Sequence, residues 1–316
     1  MAPMETLCDA HLHFFSREVL CFYARQSAEY RTLEDPAARV AQRLGISLPP
    51  GEPQDLAALW AAQMDRHRVS RAFLFGSVPG EQQAVSRAVA AFPHKFAGFQ
   101  VLNPLDPEAG RATADIAAKG LRGLLLFPAM HRFYPDDPAC LETCRLAETH
   151  GLIVFVHVGP LRIVIQEKLG GGGAIRPSYG DPRRLGNTLR AFPEVPFIVP
   201  HFGCGLLAGL LEAARETRNL YLDTSSSNSW MQQGPAPTDL ETVFGTMLEE
   251  KAFGPERLLF GSDSTVFPRG WRNDIYLAQR AALDRLGVSS RERRLIFSGN
   301  LECLLRPSGA ATPSTA

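Results

Sequence analysis

Three observations in the sequence predict a (β/α)8 barrel. Eight short, nearly continuous apolar runs alternate with eight amphipathic runs. That alternation marks a parallel α/β architecture whose strands are buried on both faces. No Gly-x-Gly-x-x-Gly follows the first run, which makes a doubly wound dinucleotide-binding sheet the weaker alternative. The three long irregular stretches, 16–53, 161–179 and 225–238, each follow a strand, on the carboxyl face where such barrels keep their sites.

The strands are predicted at 6–10, 71–75, 96–102, 123–127, 152–157, 196–201, 220–223 and 257–261. Helical patterns lie at 55–67, 81–91, 106–119, 138–150, 181–191, 206–217, 239–251 and 273–286. In the first of these Leu56, Leu59, Trp60 and Met64 recur at helical spacing. Several begin at Asp, alone or followed by Pro, which starts helices well. The insertion after the first strand reads as partly helical and ends in Pro49-Pro50-Gly51. The one after the fifth carries a four-glycine run at 170–173, expected to be a flexible lid. The one after the seventh opens with Ser225-Ser226-Ser227-Asn228, a polar rim segment suited to touching substrate. Residues 1–307 are expected to form a single domain, and 308–316, rich in Ser, Pro and Ala, a disordered tail.

The chain has 316 residues, a length that one α/β barrel with insertions accommodates. Its 33 basic and 33 acidic residues cancel and form no basic stripe, which excludes the usual nucleic-acid footprint. No apolar run reaches the length of a membrane span. Glu5 and Asp9 stand where a signal peptide would be basic and then apolar, so a cytoplasmic location is expected. The six cysteines read as reduced thiols, with Cys140 and Cys144 spaced for one helix face.

The chemistry begins at Asp9-Ala10-His11-Leu12-His13. Side chains alternate in a strand, so both histidines point one way and together can hold a divalent metal; Asp9 alternates onto the same face. His157 ends the fifth strand, His201 ends the sixth, and Asp263 follows the eighth within Phe260-Gly261-Ser262-Asp263-Ser264. In a closed barrel these strand ends ring a single mouth, so residues far apart in sequence converge. Of the other histidines, His67, His94 and His150 read as structural or surface residues, and His131, after the fourth strand, as a residue that could line the pocket.

On these pieces the chain resembles the amidohydrolase superfamily, closest to the branch containing amino-carboxymuconate-semialdehyde decarboxylase. Gly120-Leu121-Arg122-Gly123, His157-Val158-Gly159, His201-Phe202-Gly203-Cys204-Gly205 and a closing Gly299-Asn300 extend the resemblance over about residues 7–305. The resemblance implies one metal bound by His11, His13, His157 and Asp263, with His201 a catalytic or water-orienting residue. Three nitrogens and one carboxylate suit zinc, which makes water acidic enough to attack at neutral pH. Asp263 would then also take a proton from that water. Binuclear relatives carry a bridging Lys on the fourth strand. Here that strand is Gly-Leu-Leu-Leu-Phe, with Leu125 and Phe127 where near relatives often show Lys and His, so one metal and an apolar pocket floor are expected.

The resulting expectation is a mononuclear metal-dependent hydrolase acting on an amide, lactone or similar carbonyl bond of a small molecule. The alternative is a non-oxidative decarboxylase built on the same site, and the second alternative a barrel that has lost catalysis and serves as a binding protein. Phe127, Arg162, Arg269 and Trp271 are the candidate substrate contacts, since an Arg in the mouth could pair with a carboxylate. A decarboxylase would use Phe127, Arg162 and Trp271 to orient the leaving carboxylate over an apolar surface. Relatives of this kind often form homodimers.

Overall fold

The fold was analysed in a computed structural model, which describes residues 6–170, 175–226, 230–231, 238–250 and 252–306. Eight parallel strands stand side by side in chain order: β1 (Leu7–His13), β2 (Val69–Gly76), β3 (Phe96–Leu102), β4 (Gly123–Leu126), β5 (Ile153–Val156), β6 (Phe197–Val199), β7 (Leu220–Asp223) and β8 (Leu258–Leu259). The last strand is only two residues long, yet the chain beyond it closes the ring onto β1. Ala10 N–H donates to the Phe260 carbonyl at 2.8 Å, Asp263 N–H to the His11 carbonyl at 2.9 Å, and His13 N–H to the Ser264 carbonyl at 2.9 Å. The chain therefore forms the (β/α)8 barrel that its alternation predicts.

The helices are α1 (Arg17–Gln26), α2 (Pro36–Leu44), α3 (Pro53–His67), α4 (Gln82–Ala91), α5 (Ala109–Ala118), α6 (Pro128–His131), α7 (Pro138–Thr149), α8 (Val164–Lys168), α9 (Leu185–Ala191), α10 (Leu207–Ala214), α11 (Leu240–Glu249), α12 (Asn273–Arg285), α13 (Ser290–Arg294) and α14 (Asn300–Leu304). Local chemistry starts several of them. Asp35 accepts from Ala38 N–H ahead of Pro36, and Asp239 accepts from Thr242 N–H, satisfying amides that the first helical turn leaves unpaired.

Burial sorts the side chains into three cores. Phe73, Phe75, Phe99, Leu125, Phe155, Ile198 and Leu259 fill the barrel interior. Ala72 and Leu74, alternating with Phe73 and Phe75, join the core between strands and helices. At the amino end Leu301 of α14 enters the interior core and plugs the barrel. A third core unites the insertions after β1 and β5: Val19, Leu20 and Tyr23 of α1 and Val40 of α2 pack with Ile165 of α8 and Leu169. Val78, from the loop after β2, joins them and seats this cap on the carboxyl end of the barrel.

All six cysteines are free; Cys8, Cys140 and Cys144 are buried, Cys21 and Cys204 half-buried and Cys303 exposed. No helix among the described residues is long and apolar enough to cross a membrane. The expectations placed on residues 171–173, 227–228 and 308–316 fall outside the described residues.

Candidate metal centre

The site begins with an irregularity in β1. Asp9 pairs with Ala72 and Leu12 with Leu74, so three steps of β1 match two of β2. This bulge breaks the alternation. His11 faces the interior, its ring 4.8 Å from that of Phe75 and 5.4 Å from that of Phe155. Asp9 is turned the other way, a correction to the face that strict alternation assigns it. Its carboxylate accepts from Trp271 Nε1 at 2.7 Å, Ser262 N–H at 2.9 Å, Ser262 Oγ at 2.5 Å and His11 N–H at 2.9 Å. Burial raises the Asp9 carboxyl to about 6 against the pull of these bonds. Asp9 thus ties β1 to the segment after β8 and fixes the backbone that carries His11 and Asp263.

Inside the mouth, His11 Nε2 and His13 Nε2 lie 3.1 Å apart. Asp263 Oδ1 stands 3.7 Å from the first and 3.5 Å from the second. The other ring nitrogens are already engaged, His11 Nδ1 with Asp223 Oδ2 at 2.6 Å and His13 Nδ1 with Ser77 Oγ at 2.7 Å. Asp223 only accepts as a carboxylate, so His11 donates from Nδ1 and its Nε2 lone pair is left facing the mouth. Two imidazoles steadied from behind and one carboxylate, their ligand atoms within 4.8 Å of one another, fit a divalent cation. His157 stands outside that trio: its ring is 5.3 Å from that of His201, and its Nδ1 is buried without a hydrogen-bond partner.

The electrostatics suit ligation, which needs neutral imidazoles and an ionised carboxylate. Burial, with the neighbouring His201 and His11 rings, pushes His157 down to about 3. Burial also lowers His13 and His201. Burial works against ionised Asp263, but the imidazoles of His13, His11 and His201 beside it hold the carboxyl well below the usual range. His11 is the exception: burial pushes it down, and Asp223 outweighs that and raises it.

A second trio, His11, His201 and Asp223, also comes together. Ser225 Oγ occupies its middle, 3.0 Å from His11 Nδ1, 2.9 Å from His201 Nδ1 and 2.8 Å from Asp223 Oδ2. A hydroxyl therefore fills the space that a second cation would need. Asp223 ends β7 and its carboxylate lies over Gly261, just beyond β8, where a Cβ would collide with its Oδ1, so only glycine fits there. Asp223 is not among the site residues expected from the sequence, and Ser225, expected at the polar rim, is instead fully buried behind His11 and His201. Asp223 carried the same signal as the others, an acidic residue ending a predicted strand.

His201 opens a turn of left-handed backbone. His201, Phe202, Gly203 and Cys204 have φ of 57°, 50°, 68° and 52°. Left-handed residues other than glycine cost about 1 kcal/mol or more each, and such strain collects at functional sites. The turn reverses the chain immediately after β6 and leaves the His201 ring stacked 4.9 Å from that of His11.

The candidate substrate contacts divide. Phe127 stacks on His157 at 5.6 Å and 27°, at the rim above Leu125, giving an apolar wall. Arg269 bonds Thr265 and feels the charge of Asp263. Arg162 does not enter the mouth; 67% of its side chain is exposed and it pairs with Glu167 at 2.8 Å. Trp271 is also displaced from the role expected of it. It is buried between the barrel and its helices, where its indole serves Asp9, because the segment after β8 folds back outward.

A family model described as amidohydrolase matches residues 8–306, nearly the whole chain. The chain belongs to the amidohydrolase family. It is a metal-dependent enzyme of that superfamily, and its architecture recurs in solved structures. An amidohydrolase from Burkholderia multivorans with bound zinc is 15% identical, with 96% of this chain and 100% of that one covered at a TM-score of 0.64. A dihydroxybenzoic acid decarboxylase from Polaromonas sp. JS666, with bound manganese and 2-nitroresorcinol, is 18% identical, covering 95% and 97% at 0.63. The 5-carboxyvanillate decarboxylase of Sphingomonas paucimobilis is 18% identical, covering 95% and 99% at 0.60. Among curated proteins none matches. At these identities the solved structures establish the amidohydrolase fold, and metal dependence comes with the family.

Proposed function

We propose that this amidohydrolase hydrolyses an amide, lactone or similar carbonyl bond of a small molecule at one metal ion held by His11, His13, His157 and Asp263. Zinc suits this donor set and, when bound, would polarise the substrate carbonyl and make water nucleophilic at about pH 7. The observation that carries the reading is the pairing of two proton acceptors beside the candidate cation site, while Arg162 and Trp271 stand away from it. Asp263, held ionised, is placed to take a proton from water, and the His201 ring beside His11 to accept from the attacking water and orient it. A decarboxylase would need an anchor for the leaving carboxylate, and Arg162 and Trp271, two of the residues expected to supply it, are engaged elsewhere. Phe127 on His157 supplies the apolar wall against which an acyl portion can rest.

Three measurements test this. Purified protein should carry about one metal ion per chain, and the double variant His11→Ala/His13→Ala close to none. Retained stoichiometric metal in that variant would sink the ligand assignment. Panels of lactones and amides, set beside panels of carboxylic acids, should show acid release from the former. Carbon dioxide release from the latter, without hydrolysis, would replace the proposal with the decarboxylase reading. Asp263→Asn should lower turnover by about 100-fold or more while leaving the circular dichroism unchanged.

A further inference from the structure

We infer that Ser225 holds His201 as the tautomer protonated on Nδ1, so that the bare Nε2 is the functional atom and His201 enters the reaction as an acceptor. The meaning for catalysis rests on the hydrolase reading; the tautomer itself rests on proton counting. Ser225 Oγ carries one proton and lies within hydrogen-bond range of three atoms: Asp223 Oδ2 at 2.8 Å, His201 Nδ1 at 2.9 Å and His11 Nδ1 at 3.0 Å. His11 Nδ1 keeps its own proton for Asp223, at 2.6 Å. Asp223, a carboxylate, can only accept.

If the Ser225 hydroxyl pointed at His201, two pairs of lone pairs would be left in contact. Ser225 Oγ would face Asp223 Oδ2 with no proton between them. His201 Nδ1, also bare, would face the Ser225 carbonyl oxygen at 3.2 Å. Turning the hydroxyl to Asp223 removes both conflicts. His201 Nδ1–H then donates to Ser225 through the hydroxyl, the carbonyl or both. Among the described residues no hydrogen bond engages Nε2. The left-handed turn that begins at His201 fixes the ring's backbone, and Ser225 sets its protonation pattern. Ser225 is a positioning residue: it acts through His201 and also braces the Asp223 carboxylate behind His11.

The test is a long-range proton–nitrogen correlation spectrum of zinc-loaded protein labelled with 15N-histidine, with His201→Gln identifying the His201 signals. Wild type should show a protonated Nδ1 and a bare Nε2. Protonation on Nε2, or on both nitrogens, at pH 7.5 would overturn the inference. Ser225→Ala should keep zinc stoichiometric but shift His201 to a mixture of tautomers, because only the 3.2 Å carbonyl remains as acceptor. Ser225→Cys, which keeps a hydrogen-bonding group at this position but accepts weakly, should lie between the two. If both variants keep the wild-type pattern, the hydroxyl has no positioning role and the proposal fails. A wild-type protein that binds no zinc would count against the metal reading alone, since the tautomer is still read in its absence.

Discussion

The 2.6 Å contact between Asp223 and His11 decides which imidazole nitrogen is free for a cation. Asp223→Asn keeps the shape and can still accept a hydrogen bond, but it removes the charge that raises the basicity of His11. Zinc affinity should fall about 10-fold, towards the lower end of what such partners contribute, without loss of fold. Competition with a coloured chelator measures it, and unchanged affinity would remove Asp223 from the site. His131 allows a separate test at this scale, on stability. Burial lowers its imidazole from 6.5 to about 4. Between those two values the unfolded chain takes up a proton that the folded chain refuses, so stability is lost as pH falls through that window. Urea unfolding of His131→Gln should therefore lose less stability between pH 7 and 5 than wild type. An identical loss in both proteins would count against a half-buried His131 held neutral. At the scale of single residues, strand ends told much: His11, His13 and Asp263 converge as their positions imply. Side chains in loops gave no such guide. Arg162 and Trp271 were misplaced because no periodicity governs where a loop residue points.

Among the elements, β1 with its bulge is the one that local pattern describes least well. Alternation is a property of a single strand, whereas a bulge exists only against a partner strand, so nothing in residues 7–13 alone announces it. The cap was half legible, as a partly helical insertion. Its docking was not, because the apolar partners Ile165 and Leu169 lie more than a hundred residues from Val19. Where the cap leaves the barrel, fully buried Glu81 accepts from Ser16 N–H at 3.0 Å and Ser16 Oγ at 2.6 Å through one oxygen. Its other oxygen accepts from Ser77 N–H at 2.7 Å, and Ser77 supports His13. In Glu81→Gln an amide NH2 must face one of these donors, leaving a clash at Ser16 or Ser77. The expected result is faster protease cleavage within residues 17–53 together with zinc affinity weakened several-fold. If neither changes, the root of the cap and the metal ligand are not linked.

For the molecule as a whole, the barrel was legible because its strands are buried on both faces and repeat without a gap. Closure through residues 260–264 was harder to see, since β8 itself spans two residues and the remaining pairing is made by irregular backbone. A ligand that binds only the folded chain stabilises it by about 2.7 kcal/mol at a hundred times its dissociation constant. Treatment with a chelator should accordingly lower the melting temperature by several degrees, and added zinc should restore it. A melting temperature indifferent to both would argue against a resident metal. Among the described residues, supports for His11, His13 and Asp263 come from β1, β7, the loop after β2 and the segment after β8, and none comes directly from the cap. That division makes the cap a replaceable part, one that divergence or a protein engineer can exchange to admit a different substrate over unchanged chemistry. The seam for such an exchange is set by Glu81: a transplant that begins at Arg17 keeps Ser16 with the barrel, while one that begins a residue earlier cuts into the bracing of His13.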